Sequence, residues 1–444
     1  MARILVASMP FAGHVGPLGA LAAELVRRGH EVVAYTGAKY RGRFLGAGAT
    51  WLPWIKATDF DDADLAATFP EIGDGKGLRG GRANGEHILF GTAAGQIADI
   101  MAAAPYDLLV TDQVAFGGAI AGQALGVPWA TVAVTPLSMT SRHLPPFGLR
   151  LTPATGPAGR ARDAVLRGVT SVAYRRVVDT RLNALRSQVG LGPVEPGRLF
   201  DGIYSTDLVL AQGVPGLEYP RPDLPDYVHF VGRLAAAPAR PAREPDPADA
   251  TGPAGSGPSA VGGTSELPDW WPELAAATTV VHVTQGTLDT DPADLIRPTL
   301  DGLADRDVLV VCTTGGGDPA VLGPLPPNAR AAAYLPHDLL LPFVDVMVSN
   351  GGWGGVLASI QAGVPLVVAG ASLDKPEVAR RVAWSGAGIN LRTGQPQPDC
   401  VAQAVERIRA EPAFRVRATE LGAAMTAAGG VTRAGELVES LLAK

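Results

Sequence analysis

Residues 344–391 of this 444-residue chain constrain its fold more than any other stretch. An apolar run at 344–348 leads into Asn350, Gly351, Gly352, Trp353, Gly354 and Gly355. A helix-forming segment at 356–361 and a second apolar run at 366–368 follow. Strand, glycine-rich turn, helix and strand in this length make one βαβ unit, which calls for a parallel sheet with helices on its faces. The glycines let the backbone approach a ligand closely and take positive φ. The helix after them begins with unpaired N–H groups and a partial positive charge, a setting that suits a phosphate. A glycine-rich helix start that binds nothing has the same local pattern.

The chain opens in the same way. Residues 3–8 read as a strand, 9–15 as a loop carrying Gly13 and His14, 17–28 as a helix with Pro17 in its first turn, and 31–35 as a second strand. Leu18, Leu21, Ala22, Leu25 and Val26 recur at helical spacing and give that helix one apolar face. Ligands gather at the carboxyl ends of parallel strands, and His14 stands at one of those ends. An imidazole there titrates near working pH and can take up a proton without being charged beforehand. A histidine that merely starts a helix is the plainer alternative. The loop does not match G-x-G-x-x-G, so a dinucleotide fingerprint is absent. Residues 106–111 form a further strand ending at Asp112, a residue type suited to capping a helix over 114–124.

Length predicts two domains of ordinary size, and a hydrophobic content of 47% supports sizeable cores. A formal charge of -6 gives no reason to expect nucleic acid as a partner. Two cysteines, Cys312 and Cys400, exclude a disulfide scaffold, and neither has metal-ligand neighbours; Cys312 reads as a buried filler. Residues 4–7 are too short for a signal-peptide core, and no apolar run reaches the roughly 18 residues that span a bilayer, so a cytoplasmic protein is expected. Residues 235–266 hold Ala, Pro, Gly and Asp with almost no large apolar side chain, as a linker would. The expected layout is therefore an N-terminal domain over 1–234, a linker over 235–268, a second domain over 269–428 and a C-terminal helix over 429–444 that packs back toward the first domain. A strand at 280–284 begins the second domain, runs into Gln285, Gly286 and Thr287, and contains His282, read as core.

Tyr334, Leu335, Pro336 and His337, then Asn350, Gly351 and Gly352, then Gly363, Val364 and Pro365, then Asp374 and Lys375 occur in that order within one short region. This series resembles the nucleotide-sugar signature of the family 1 glycosyltransferases, and the strand, Gly13-His14 loop and helix at the N-terminus resemble that family's opening. The resemblance implies the GT-B fold: two α/β Rossmann-like parallel-sheet domains facing across a cleft. It implies an inverting transfer of a sugar from a UDP- or dTDP-linked donor to a hydroxyl of an apolar natural product, such as a polyketide or macrolactam antibiotic, in biosynthesis or inactivation. The nucleotide sugar is a co-substrate, and no metal or other cofactor is obligatory.

The same resemblance implies roles for individual residues. His14 is the general base, and Asp112 holds its other nitrogen. Gly286 and Thr287 contact phosphate, although a plain βα turn has the same sequence. Tyr334 lies on the nucleobase, Leu335 pairs with it through its backbone, and His337 is close by. Gly351, Gly352, Gly354 and Gly355 bring N–H groups to the diphosphate, and Asp374 accepts hydrogen bonds from sugar hydroxyls. Two positions depart from the family pattern: Asn350 replaces the usual phosphate-contacting histidine, and Lys375 stands where glutamine is common. These departures keep two alternatives in view, a non-catalytic sugar-nucleotide-binding homologue and a sugar-nucleotide epimerase on the same fold. Phe60, Phe69, Phe90, Phe116, Met139, His143 and Phe147 are candidates for an apolar acceptor wall, or else scattered core side chains. His87 and His143 are the alternative bases.

Overall fold

The computed structural model describes residues 1–73, 77–197, 201–236, 267–286 and 291–443. Seven strands form the first sheet: β1 (Arg3–Ala7), β2 (Glu31–Tyr35), β3 (Thr50–Leu52), β4 (Leu108–Asp112), β5 (Trp129–Ala133), β6 (Leu208–Gln212) and β7 (Val228–Gly232). Their spatial order is β3-β2-β1-β4-β5-β6-β7, with parallel pairing throughout. Six strands form the second: β8 (Val280–Thr284), β9 (Leu309–Thr313), β10 (Ala329–Ala332), β11 (Val346–Ser349), β12 (Leu366–Val368) and β13 (Gly388–Asn390). Their order, β10-β9-β8-β11-β12-β13, repeats the first sheet's pattern, again all parallel. The chain is thus α/β with two Rossmann-like sheets. The linker expected over 235–268 lies almost wholly outside the described residues, as does Thr287.

Both faces of each sheet are covered, which is why the strands read as unbroken apolar runs. Leu5, Val33 and Leu109 feed a core on one face of the first sheet, while Ile4, Val6, Val32 and Val110 feed another on the opposite face. The second sheet divides likewise, with Met347, Leu366 and Val368 on one side and Val281, Val346 and Val348 on the other. Cys312 is buried in that latter core. The helix Gly430–Leu442 crosses back and inserts Ala434, Leu437, Val438 and Leu441 into the core beneath β1. Arg28 fastens it there through Glu439 at 2.7 Å.

Two local expectations are corrected. His14 is not in a loop: the first helix runs Ala12–Arg27, so His14 is its third residue and Pro17 lies inside it. Pro17 needs no N–H donor only in the first turn, and placing it there pushed the expected start too late. The actual start is fixed by the Ala12 N–H, which donates to Asp62 Oδ2 at 2.9 Å. The third strand ends at Leu52, and the segment expected to be irregular over 57–86 contains short helices at Leu65–Thr68 and Gly77–Ala83.

The helix Phe116–Leu125, which follows Asp112, lies tightly on the helix Ala93–Ala102. A Cβ at Gly117 would stand 2.4 Å from the Ala93 carbonyl oxygen, a backbone atom that cannot swing aside. Gly117→Ala is therefore expected to destabilise the fold by about 1–3 kcal/mol, the usual cost of overpacking. A urea melt with an unchanged midpoint would show that these helices can separate freely.

Candidate active site

In each sheet the strand order reverses between the first strand and the fourth. A crevice opens there at the carboxyl ends, because successive connections leave in opposite directions. In the first sheet the crevice lies between β1 and β4. Asp112, the last residue of β4, is fully buried, and His14 sits just beyond β1 with a side chain 18% exposed. The Asp112 Oδ2 atom is 2.6 Å from His14 Nδ1 and accepts the Met9 N–H at 3.2 Å. Its Oδ1 accepts the Val114 N–H at 3.0 Å, so the carboxylate is held from both sides. Asp112 thus ties down the turn before the next helix and holds the histidine as well. Since a carboxylate only accepts, Nδ1 carries the proton and Nε2 is the nitrogen with a lone pair.

Burial opposes a charge on His14, but the adjacent Asp112 carboxylate outweighs it through charge and hydrogen bond. Asp374 and Asp62 add smaller attractions, and the imidazole ends above its ordinary 6.5. Asp374 belongs to the second half of the chain, so both halves converge on this ring.

In the second sheet the crevice lies between β8 and β11. Gly286, just past β8, takes a φ of +71°, and Gly351, just past β11, takes +89°. Asn350 bridges them: its Nδ2 donates to the Gln285 carbonyl, and its Oδ1 accepts the Gly352 N–H at 3.3 Å. The helix Trp353–Gln361 then begins with no side chain capping it, leaving its first amides for a ligand. Space beside Gly354 is open, while Gly351 is closely packed by Val368 and Lys375. Lys375 is buried, with Nζ 3.3 Å from Ser372 Oγ. Asp374 precedes it at the start of the helix Lys375–Ser385, where its carbonyl accepts the Glu377 and Val378 N–H groups. Tyr334 is 61% exposed, as a stacking platform would be, and Leu335 is buried. His337 lies under the glycine turn, packed edge-on against His282. Burial and Arg233 push His337 down to about 4, and burial pushes His282 to about 3, so both stay neutral.

Residues 297–442 match the family described as erythromycin biosynthesis protein CIII-like, C-terminal domain. Over 444 aligned residues the chain is 39% identical to the 4'-demethylrebeccamycin synthase of Lentzea aerocolonigenes, covering 99% of this chain and 100% of that one. It is 31% identical to UDP-glycosyltransferase 2 of Phaeomoniella chlamydospora, over 94% of this chain and 91% of the other. The chain belongs to the family 1 glycosyltransferases. Its fold is GT-B: the solved kitacinnamycin glycosyltransferase superposes with a TM-score of 0.72 at 22% identity, covering 99% of each chain. The calicheamicin glycosyltransferase CalG4 gives 0.67 at 23% identity, covering 100% of this chain and 98% of that one.

The glycosyltransferase divides the aromatic candidates into two groups. Phe60 and Phe69 are buried and form a chain of rings with Phe11, which packs 5.3 Å from the His14 ring. Phe90 meets Phe116 edge-on at 5.1 Å, and Phe116 is wholly buried. Met139 and Phe147 instead line a cavity of about 170 Å³. His143 is exposed and His87 half-buried, and neither pairs with Asp112, whose histidine partner is His14. Among the described residues no three His, Cys, Asp or Glu side chains group as metal ligands, and no helix is long and apolar enough to cross a membrane.

The sequence reading missed Asp62, which anchors the His14 helix and also pairs with Tyr40 and Lys39. Its only signal was the acidic run in the 57–86 segment. A proton titration of the His14 ring by NMR should give a midpoint above 6.5. Asp112→Asn should lower it, because the neutral amide no longer offsets burial. The stability that the charged ring contributes should be complete below pH 6.5 and fade as pH rises through the shifted midpoint.

Proposed function

We propose that this glycosyltransferase moves a sugar, with inversion, from a UDP- or dTDP-linked donor to a hydroxyl of an apolar natural product. One observation carries the reading. The His14–Asp112 pair, built at the crevice of one sheet, lies within electrostatic reach of Asp374 beside the crevice of the other. The relatives supply the substrate classes: one is named for synthesis of 4'-demethylrebeccamycin and others as UDP-glucosyltransferases. A solved VinC structure of the same fold is described in complex with dTDP.

In this mechanism His14 Nε2 takes the proton of the acceptor hydroxyl as its oxygen attacks the anomeric carbon from the face opposite the nucleotide. The bond from that carbon to the diphosphate oxygen breaks, and the electron pair leaves with the diphosphate. Asp112 stabilises the imidazolium that results. The first amides of the helix Trp353–Gln361 meet the charge gathering on the leaving group, with fixed dipoles that need no reorganisation. Tyr334 and Leu335 take the nucleobase, and Asp374 takes sugar hydroxyls. The ring chain of Phe11, Phe60 and Phe69 supports the acceptor side beside His14.

The test is incubation with UDP-glucose and with dTDP-sugars against a panel of aromatic polyketides and macrolactams, read by product mass, free nucleotide and epimerised sugar. A new mass 162 Da above the acceptor, roughly one anhydrohexose, is the expected result with UDP-glucose. Epimer without transfer would replace the proposal with an epimerase. In the active pair, His14→Ala should lower turnover by about 10²–10⁴, the usual range for a general base. Wild-type kcat/KM should fall on the acid side of a midpoint above 6.5, since the base acts only when neutral. A near-normal rate in the variant would remove His14 from the mechanism.

A further inference from the structure

The cavity lined by Met139 and Phe147 is built by both halves of the molecule. The loop after β5, the helix Pro157–Tyr174 and the segment after β6 that carries Tyr219 and Arg221 supply most of its wall. Glu377 and Arg381, from the helix that begins after Asp374, complete it. Its volume of about 170 Å³ is close to the roughly 150 Å³ of an apolar cavity that takes one benzene. Met139, Leu144, Pro146, Phe147 and Tyr174 make it mainly apolar.

Two polar atoms in this lining are unusual. Among the described residues, the Tyr219 hydroxyl and Arg221 Nε are buried without a hydrogen-bond partner. Tyr219 is 4% exposed, and so is the Arg221 side chain. Both groups are held in place by their other contacts. Arg221 donates through Nη1 to the Met139 carbonyl and through Nη2 to the Leu137 carbonyl, each at 2.7 Å, which leaves Nε as the remaining donor. The Tyr219 ring is clamped between the Arg381 guanidinium at 4.6 Å and the edge of Trp384 at 5.4 Å. Burial pushes the Tyr219 phenol up to about 12, so it keeps its proton at neutral pH. Buried donors without partners carry a desolvation penalty that an incoming oxygen would relieve.

The charges close to these atoms are already matched. Arg381 pairs with Glu218 at 2.9 Å and Glu377 at 3.2 Å, and Arg221 lies 3.6 Å from Glu218. A neutral oxygen suits this site better than a carboxylate, which would unbalance buried pairs. Glu377 also accepts the Gly148 N–H at 3.3 Å, so the loop after β5 and the helix following Asp374 close on the cavity together.

We infer that this cavity seats a ring-sized, oxygen-bearing end of the acceptor, of phenol or aryl-ketone class, with the oxygen placed on the Tyr219 hydroxyl and Arg221 Nε. The inference rests on the transfer reading for the identity of the occupant, but the binding site itself does not. Glu377 lies one helical turn past Asp374, which puts the seat on the donor side of the acceptor cleft.

The experiment is calorimetric titration of the full chain with phenol and with toluene, using wild type, Tyr219→Phe, Met139→Trp and His14→Ala. Phenol should bind saturably at one site, and toluene at least about tenfold more weakly. Tyr219→Phe should bring phenol to the toluene level without lowering the melting temperature, because its hydroxyl has no partner to lose. Met139→Trp should abolish both by filling the space, and His14→Ala should bind phenol as wild type does. Absence of saturable phenol binding by wild type overturns the inference. So does a Tyr219→Phe variant that binds phenol as tightly as wild type, or one that melts earlier, which would show that ordered water serves the hydroxyl instead. Phenol binding without any glycosyl transfer would sink the transfer reading and leave the cavity standing; transfer without phenol binding would do the reverse.

Discussion

Parallel pairing with a reversal of strand order is the constraint on which the rest depends. In both sheets the first and fourth strands are neighbours, and the connections after them depart to opposite sides. No loop can cover the carboxyl ends at that point, so each half of the chain exposes one gap in its own backbone framework. His14 and Asp112 occupy the first gap; Gly286 and Asn350 to Gly355 occupy the second. The chemistry is thereby shared between two similar sheets whose loops alone differ.

Three histidines show how environment, rather than residue type, assigns roles. His282 and His337 are buried beside one another with no carboxylate strong enough to offset burial, and both are driven far below neutral pH. His14 is also buried, yet its contact with Asp112 drives it the other way. Only His14 can gain and lose a proton near neutrality, because only His14 stands at a strand end where a buried carboxylate is available. The pair His282 and His337 serves as neutral packing beneath the glycine turn.

How much of this was legible in the sequence follows from the range of each interaction. Strands β1, β2, β8 and β12 were readable because buried parallel strands leave unbroken apolar runs, and the glycine turn was readable because positive φ restricts residue type. The start of the His14 helix was not, since Asp62, 50 positions away, sets it through a contact that no local pattern announces. The cluster of Glu218, Tyr219, Arg221, Glu377 and Arg381 was invisible for the same reason: its members are ordinary surface residue types until the fold buries them together. The aromatic candidates were correctly grouped as apolar but could not be sorted, because sequence does not say which rings face one another and which face a space.

Asn350 shows what a departure from a family pattern can mean physically. The histidine usual at this position would bring an imidazole toward phosphate, by the resemblance. Here the amide is engaged at both ends, on the Gln285 carbonyl and the Gly352 N–H, and so acts as a strut across the two strand ends of the second crevice. A strut of this kind uses one main-chain donor but fixes the start of the helix Trp353–Gln361, which has no other side-chain cap. Under the transfer reading, charge on the leaving diphosphate then falls to the remaining helix amides and to Lys375, whose stem packs against Gly351 and Gly370 within the same turn. Lys375 stands at a second departure from the family pattern. The two substitutions are thus neighbours in space as well as in role: one side chain withdrawn from the ligand to brace the backbone, and a cation placed next to the backbone that it braces.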